Sequence, residues 1–127
     1  MPIKPAWTEN QSLVAAQTLT ASGTDTDDLD ITTGGYDLVD IQWKGTFNAS
    51  ASEGCTIEIL SSSDSGTTED TIPIFSIEVS VDAGATSVIT IPVKDLSYIA
   101  VKRTNNDSTY SITNETIIYS GRYWEST

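Results

Sequence analysis

The chain has 127 residues, a formal net charge of −12 and no histidine. That length suits one domain around one core, and the acidity makes nucleic acid and anionic membrane surfaces poor partners. The six basic residues, Lys4, Lys44, Lys94, Lys102, Arg103 and Arg122, are scattered. They build no cationic face of the kind that displaces counterions from a phosphate backbone.

Residues 1–10 contain two prolines and Trp7 and read as an extended N-terminal arm. The rest, 11–127, reads as a single β domain. Leu13 to Ala21 is the first expected strand, and Leu29 to Thr32 a short second one. From Val39 the pattern is clear. Val39, Ile41, Trp43, Gly45 and Phe47 alternate with Asp40, Gln42, Lys44, Thr46 and Asn48. Side chains on a strand change sides at every residue, so this is a strand with one buried and one wet face. Cys55, Ile57 and Ile59 repeat the logic. So do Phe75, Ile77, Val79 and Val81, then Ile89, Ile91 and Val93, then Ile99 and Val101. Tyr110 to Trp124 reads as a long last strand.

Turn chemistry separates these runs: Gly34-Gly35-Tyr36-Asp37, the polar stretch from Ser61 to Asp70, Asp82-Ala83-Gly84-Ala85 and Asn105-Asn106-Asp107-Ser108. Gly and Asn tolerate positive φ, and Asx side chains bond their own backbone. Pro73 and Pro92 cannot donate to a ladder, so each marks an edge, a bulge or a strand end. The expectation is an all-β, antiparallel two-sheet β-sandwich of about eight strands, jelly-roll-like. Jelly roll and immunoglobulin-like sandwich share this local pattern, so the strand order stays open.

The chemistry that needs histidine is excluded: the commonest general base, the commonest metal ligand and the Ser-His-Asp arrangement. No Gly-rich phosphate loop and no zinc pattern occurs. No two carboxylates are paired by the pattern in a pocket, so the chain is not expected to be an enzyme. Cys55, the sole cysteine, lies in an apolar alternation and reads as a buried structural thiol. One cysteine allows no intrachain disulfide, which fits assembly in a reducing cytoplasm. No apolar run reaches the roughly 18 residues of a membrane span, and the N-terminus shows no signal-peptide core.

Two features could bind something. Asp25, Asp27, Asp28 and Asp30 are closely spaced acids in an expected loop. Calcium takes several hard oxygens, so these are candidate calcium ligands, with a solvated loop as the plain alternative. The acidic stretch from Asp64 to Asp70 has the same two readings. On the last strand, Ile117, Tyr119 and Tyr123 share one face, and Ile118, Arg122 and Trp124 share the other. A strand apolar on both sides is either doubly covered or packed against another chain. Tyr, Trp and Arg are enriched at interface hot spots. Trp7, Ile117, Ile118, Tyr119, Arg122, Tyr123 and Trp124 are therefore candidate interface residues. A sugar platform on the same aromatics is the alternative.

The run from Leu19-Thr-Ala-Ser-Gly-Thr-Asp25 through Leu29-Asp-Ile-Thr-Thr-Gly-Gly-Tyr-Asp37 resembles small structural proteins of tailed bacteriophage and prophage virions. Val39 to Phe47, Asp82-Ala-Gly-Ala-Thr86 and Tyr98-Ile-Ala-Val-Lys-Arg-Thr-Asn-Asn-Asp107 do so as well, and the resemblance runs from Leu13 to Trp124. It implies a non-enzymatic virion component of the capsid decoration (cement), head–tail or tail accessory type. It also implies a homo-oligomer with other virion proteins, such as capsid or tail subunits, as partners. The implied location is the virion, after assembly in the bacterial host cytoplasm. The alternative is a carbohydrate-binding β-sandwich module supported by calcium.

Overall fold

The structure is a computed structural model in which residues 3–31, 35–62, 72–94 and 98–126 are described. Nine strands occur among them: β1 (Ile3–Trp7), β2 (Gln11–Leu19), β3 (Thr24–Asp30), β4 (Leu38–Phe47), β5 (Cys55–Ser62), β6 (Phe75–Val79), β7 (Thr86–Lys94), β8 (Tyr98–Asn105) and β9 (Ile112–Ser126). The acidic stretch 64–70 lies outside the described residues.

The pairings are nested. β2 pairs β9, β3 pairs β8, β4 pairs β7 and β5 pairs β6, all antiparallel. The chain is thus one long hairpin, rolled so that β4 also meets β9 and β5 also meets β8. Rolling produces two facing sheets: sheet A, in the order β1-β9-β4-β7 with β2 also on β9, and sheet B, in the order β3-β8-β5-β6. β1 and β2 take successive lengths of the same β9 edge, so they act as one interrupted strand. Counted that way the fold is an eight-position jelly roll, the two-sheet antiparallel sandwich that the alternation predicted.

Each sheet turns one face to the core, as the period-2 pattern requires. Val39, Ile41, Trp43 and Phe47 of β4 meet Cys55, Ile57 and Ile59 of β5 and Ile99 and Val101 of β8. Pro5 and Pro92 both sit on edge strands, where a missing donor costs the ladder least.

Two expectations change. The Asp25 to Asp30 segment is not a loop but most of strand β3, lying along the edge of sheet B. Ile3–Trp7, within the expected arm, is an edge strand hydrogen-bonded to β9.

β9 also departs from simple alternation, because Ile112 and Ile117 both face the core although their spacing is odd. The cause is a bulge. Lys44 pairs with Thr116 but Thr46 pairs with Thr113, so β9 carries an extra residue there. Asn114 absorbs it at φ +52°, a region that asparagine tolerates better than most residues. The slip switches the phase of the strand and aims Glu115 into the interior.

Candidate functional site

The interior holds a charged cluster that bridges the two sheets. Arg103 lies on β8 in phase with Ile99 and Val101, and Glu115 on β9; both are fully buried. Arg103 Nη2 donates to Glu115 Oε1 at 3.0 Å, and its Nε donates to Oε2 at 3.2 Å. Nη1 reaches Asp27 Oδ2 at 2.7 Å and the carbonyls of Val101 and Asp25. Glu115 also accepts from the Trp43 indole and the Gln17 amide, both at 2.8 Å. Hydrogen bonds and the guanidinium hold its carboxyl below the ordinary range, against the opposing effect of burial. Among the described residues no buried side-chain nitrogen or oxygen lacks a hydrogen-bond partner, so the cluster is a structural rivet between sheets A and B.

Asp107 is similarly occupied. Its carboxylate accepts from the backbone N–H groups of Ser52, Glu53, Thr109 and Tyr110. These donors lower its pKa from 3.8 to about 2.

The four aspartates of the proposed calcium site alternate along β3. Asp25 and Asp27 share the face of Leu29, where Asp25 accepts from Gln17 and Asp27 binds Arg103; Asp28 and Asp30 take the other face. A strand separates carboxylates that a loop could have converged. Among the described residues no group of three or more metal-ligating side chains comes together.

The proposed interface residues divide between the two faces of sheet A. Ile117 is fully buried in the core and presents no docking surface, and Tyr119 packs partly buried against that core. Tyr123 is in phase with them and is half-buried. Ile117 alone is corrected: at its position β9 is central in sheet A, between β2 and β4, and the sandwich interior covers that face. Trp7, Ile118, Arg122 and Trp124 point to the outer face.

There the antiparallel register sets Pro5 opposite Trp124 and Trp7 opposite Arg122. Trp7 and Trp124 are thus diagonal neighbours, roughly 7–8 Å apart on such a ladder. They are 45% and 51% exposed, and Ile3 next along β1 is 63% exposed. The Trp124 ring is held rather than loose. Its indole N–H donates to Asp37 Oδ2 at 3.0 Å, and the Arg122 guanidinium lies 5.6 Å from its centroid. Arg122 in turn forms two hydrogen bonds with the Asp37 carboxylate, at 3.1 and 2.8 Å. That arginine is the main reason the Asp37 carboxyl is lowered from 3.8 to about 2.

Beside this patch the outer face dips into a shallow groove of about 200 Å³, lined by Asn10, Asp40, Gln42, Thr90, Ile118, Tyr119 and Ser120. The sequence pattern marked Asp40 and Gln42 as solvent-facing but gave no sign that β7 and the β1–β2 junction flank them.

No family model and no curated protein matches the chain. Solved structures do. Dimeric latent PorU from Porphyromonas gingivalis is 12% identical with a TM-score of 0.54, covering 95% of this chain and 13% of that one. A β-porphyranase of glycoside hydrolase family 86 from the human gut bacterium Bacteroides plebeius is 13% identical with a TM-score of 0.51, covering 98% of this chain and 21% of that one. The chain therefore spans only a small part of either protein, and the likeness is one of β-sandwich fold.

Proposed function

We propose that this domain is a non-enzymatic structural protein of a bacteriophage virion, of the capsid decoration or head–tail accessory type. It acts through protein–protein contacts made by the outer face of sheet A, and it works as a homo-oligomer. The observation that carries the reading is the pair Trp7 and Trp124, half-exposed and adjacent on one sheet face, with Arg122 and Asp37 holding Trp124 in place. Large apolar groups kept rigid at a surface lose little entropy on docking, and Trp and Arg are the residues that anchor interfaces. The resemblance of the sequence to tailed-phage structural proteins supplies the partner class. Jelly rolls serve in viral capsids, which agrees with that class, and also in lectins, so fold alone does not choose. The buried acids Glu115 and Asp107 are held by structural partners, which favours binding over catalysis. The test is co-sedimentation of the purified domain with particles that lack it. The wild-type domain sediments with the particles, and Trp7→Ala/Trp124→Ala stays in the supernatant; a double variant that binds undiminished overturns the reading.

The groove favours a second reading, a carbohydrate-binding module. Asp40, Gln42, Asn10, Thr90 and Ser120 offer the carboxylate, amide and hydroxyl groups that pair with sugar hydroxyls. The alternation of the β3 aspartates removes the reason to invoke calcium. A glycan array with Gln42→Ala as control decides it: binding lost in the variant supports a sugar, and a blank array removes it.

A further inference from the structure

The two chain ends build a feature that the sandwich itself does not need. β4 accompanies β9 only as far as the Leu38–Arg122 pair. Beyond it, Tyr123 to Ser126 pair on one side with Ile3 to Ala6. Among the described residues, those just before β4 (35–37) do not extend the ladder. Tyr36 N–H donates back to the Ile31 carbonyl, and the Tyr36 ring lies against Gly121. Among the described residues, the second edge of Tyr123–Ser126 therefore has no strand beside it.

The result is a two-stranded ribbon projecting past β4. Such a ribbon is marginal in water unless something packs on it or extends it. Its backbone is oriented for extension. The Gly121 carbonyl accepts from Thr8 on the β1 side, and the Arg122 carbonyl accepts from Asp37 on the β4 side. N–H and C=O of one residue point the same way and alternate along a strand, so Trp124 and Ser126 turn theirs to the open edge.

Other edges carry protection. β3 is lined with aspartates, β7 contains Pro92, and β6 is only 5 residues long. The ribbon edge has no proline, and its Glu125 is paired across the ribbon with Lys4 at 3.5 Å.

Charge identifies the occupant. Two copies at −12 each repel over most of their surfaces. At the ribbon Lys4 answers Glu125 and Arg122 answers Asp37, so the charges there cancel. An antiparallel strand edge is also self-complementary about a two-fold axis.

We propose that a second copy of this chain docks here, β9 against β9, joining two A sheets into one. This names the partner in the homo-oligomer of the reading above and rests on it.

Sedimentation equilibrium tests the pairing. The wild-type domain and Trp124→Phe, which keeps the backbone donor, show twice the chain mass. Trp124→Pro, which removes that donor, shows the chain mass with its β circular dichroism retained. A spin label on Glu125→Cys then reports a short distance between copies in the wild-type background, and one on Lys44→Cys a longer one; Cys55 is buried and takes no label. A monomeric wild type, a proline variant that dimerises undiminished, or a long distance at position 125 overturns the proposal. A monomer that still sediments with phage particles rejects only the pairing. A dimer that never binds particles rejects only the virion reading.

Discussion

Arg103 and Glu115 come from different sheets and meet in the interior through two parallel hydrogen bonds of 3.0 and 3.2 Å. The contact exists because a bulge at Asn114 turns Glu115 inward just where β8 presents Arg103. Such a pair is costly to desolvate, and its geometry has to repay that cost. Here the Trp43 indole and the Gln17 amide also donate to Glu115, and Asp27 also accepts from Arg103.

Removing one partner strands the other charge in the core. Glu115→Ala is expected to lose about 3–5 kcal/mol of stability, read from the urea midpoint at constant slope. Arg103→Met/Glu115→Leu together are expected to lose much less, since neither charge is then left alone. A double variant as unstable as the single would contradict the account of the cluster.

Acid should unfold the protein through its held carboxylates. Asp107 and Asp37 titrate at about 2 in the folded chain against an ordinary 3.8, and Glu115 is shifted in the same direction. A lowered folded value means the unfolded chain takes up protons first as pH falls. Stability is therefore full above the ordinary carboxylate range and declines as pH drops toward 2. In Asp107→Asn, the urea midpoint plotted against pH should fall less steeply over that window. An unchanged slope would remove Asp107 as a contributor.

Cys55 should be chemically silent in the native state. Burial pushes its thiol up from 9.0 to about 12, so almost no thiolate forms at neutral pH. Its reaction with a disulfide reagent should accelerate with urea in step with unfolding. Prompt labelling of the native protein would contradict its placement in the core.

Much of the fold was legible in the residues. The run from Val39 to Phe47 announces β4 and its buried face, and the other apolar alternations place β5, β7 and β8. The Asp25 to Asp30 segment was misread because aspartate disfavours strands; the β8 ladder and the Arg103–Asp27 pair hold it in one all the same. The interior cluster left a signal: Arg103 is in phase with Ile99 and Val101. Its partner was hidden, because the Asn114 bulge resets the phase of β9 and single-strand periodicity cannot see a bulge. The Trp7–Trp124 patch was half visible. Both residues stood out as interface types, but only the β1–β9 register brings opposite chain ends side by side. The assignment of Ile117 to an interface failed because β9 is a central strand at that point and its second face fills the sandwich.

The central claim is that this acidic jelly roll belongs to a phage particle and is held there by the outer face of sheet A. The direct measurement is quantitative mass spectrometry of density-purified particles produced with either the wild-type chain or Trp7→Ala/Trp124→Ala. The account predicts that the wild-type chain bands with the particles at a fixed ratio to the major capsid protein and that the folded double variant is left in the soluble fraction. A wild-type chain absent from the particles, or a double variant incorporated at the same ratio, would contradict it.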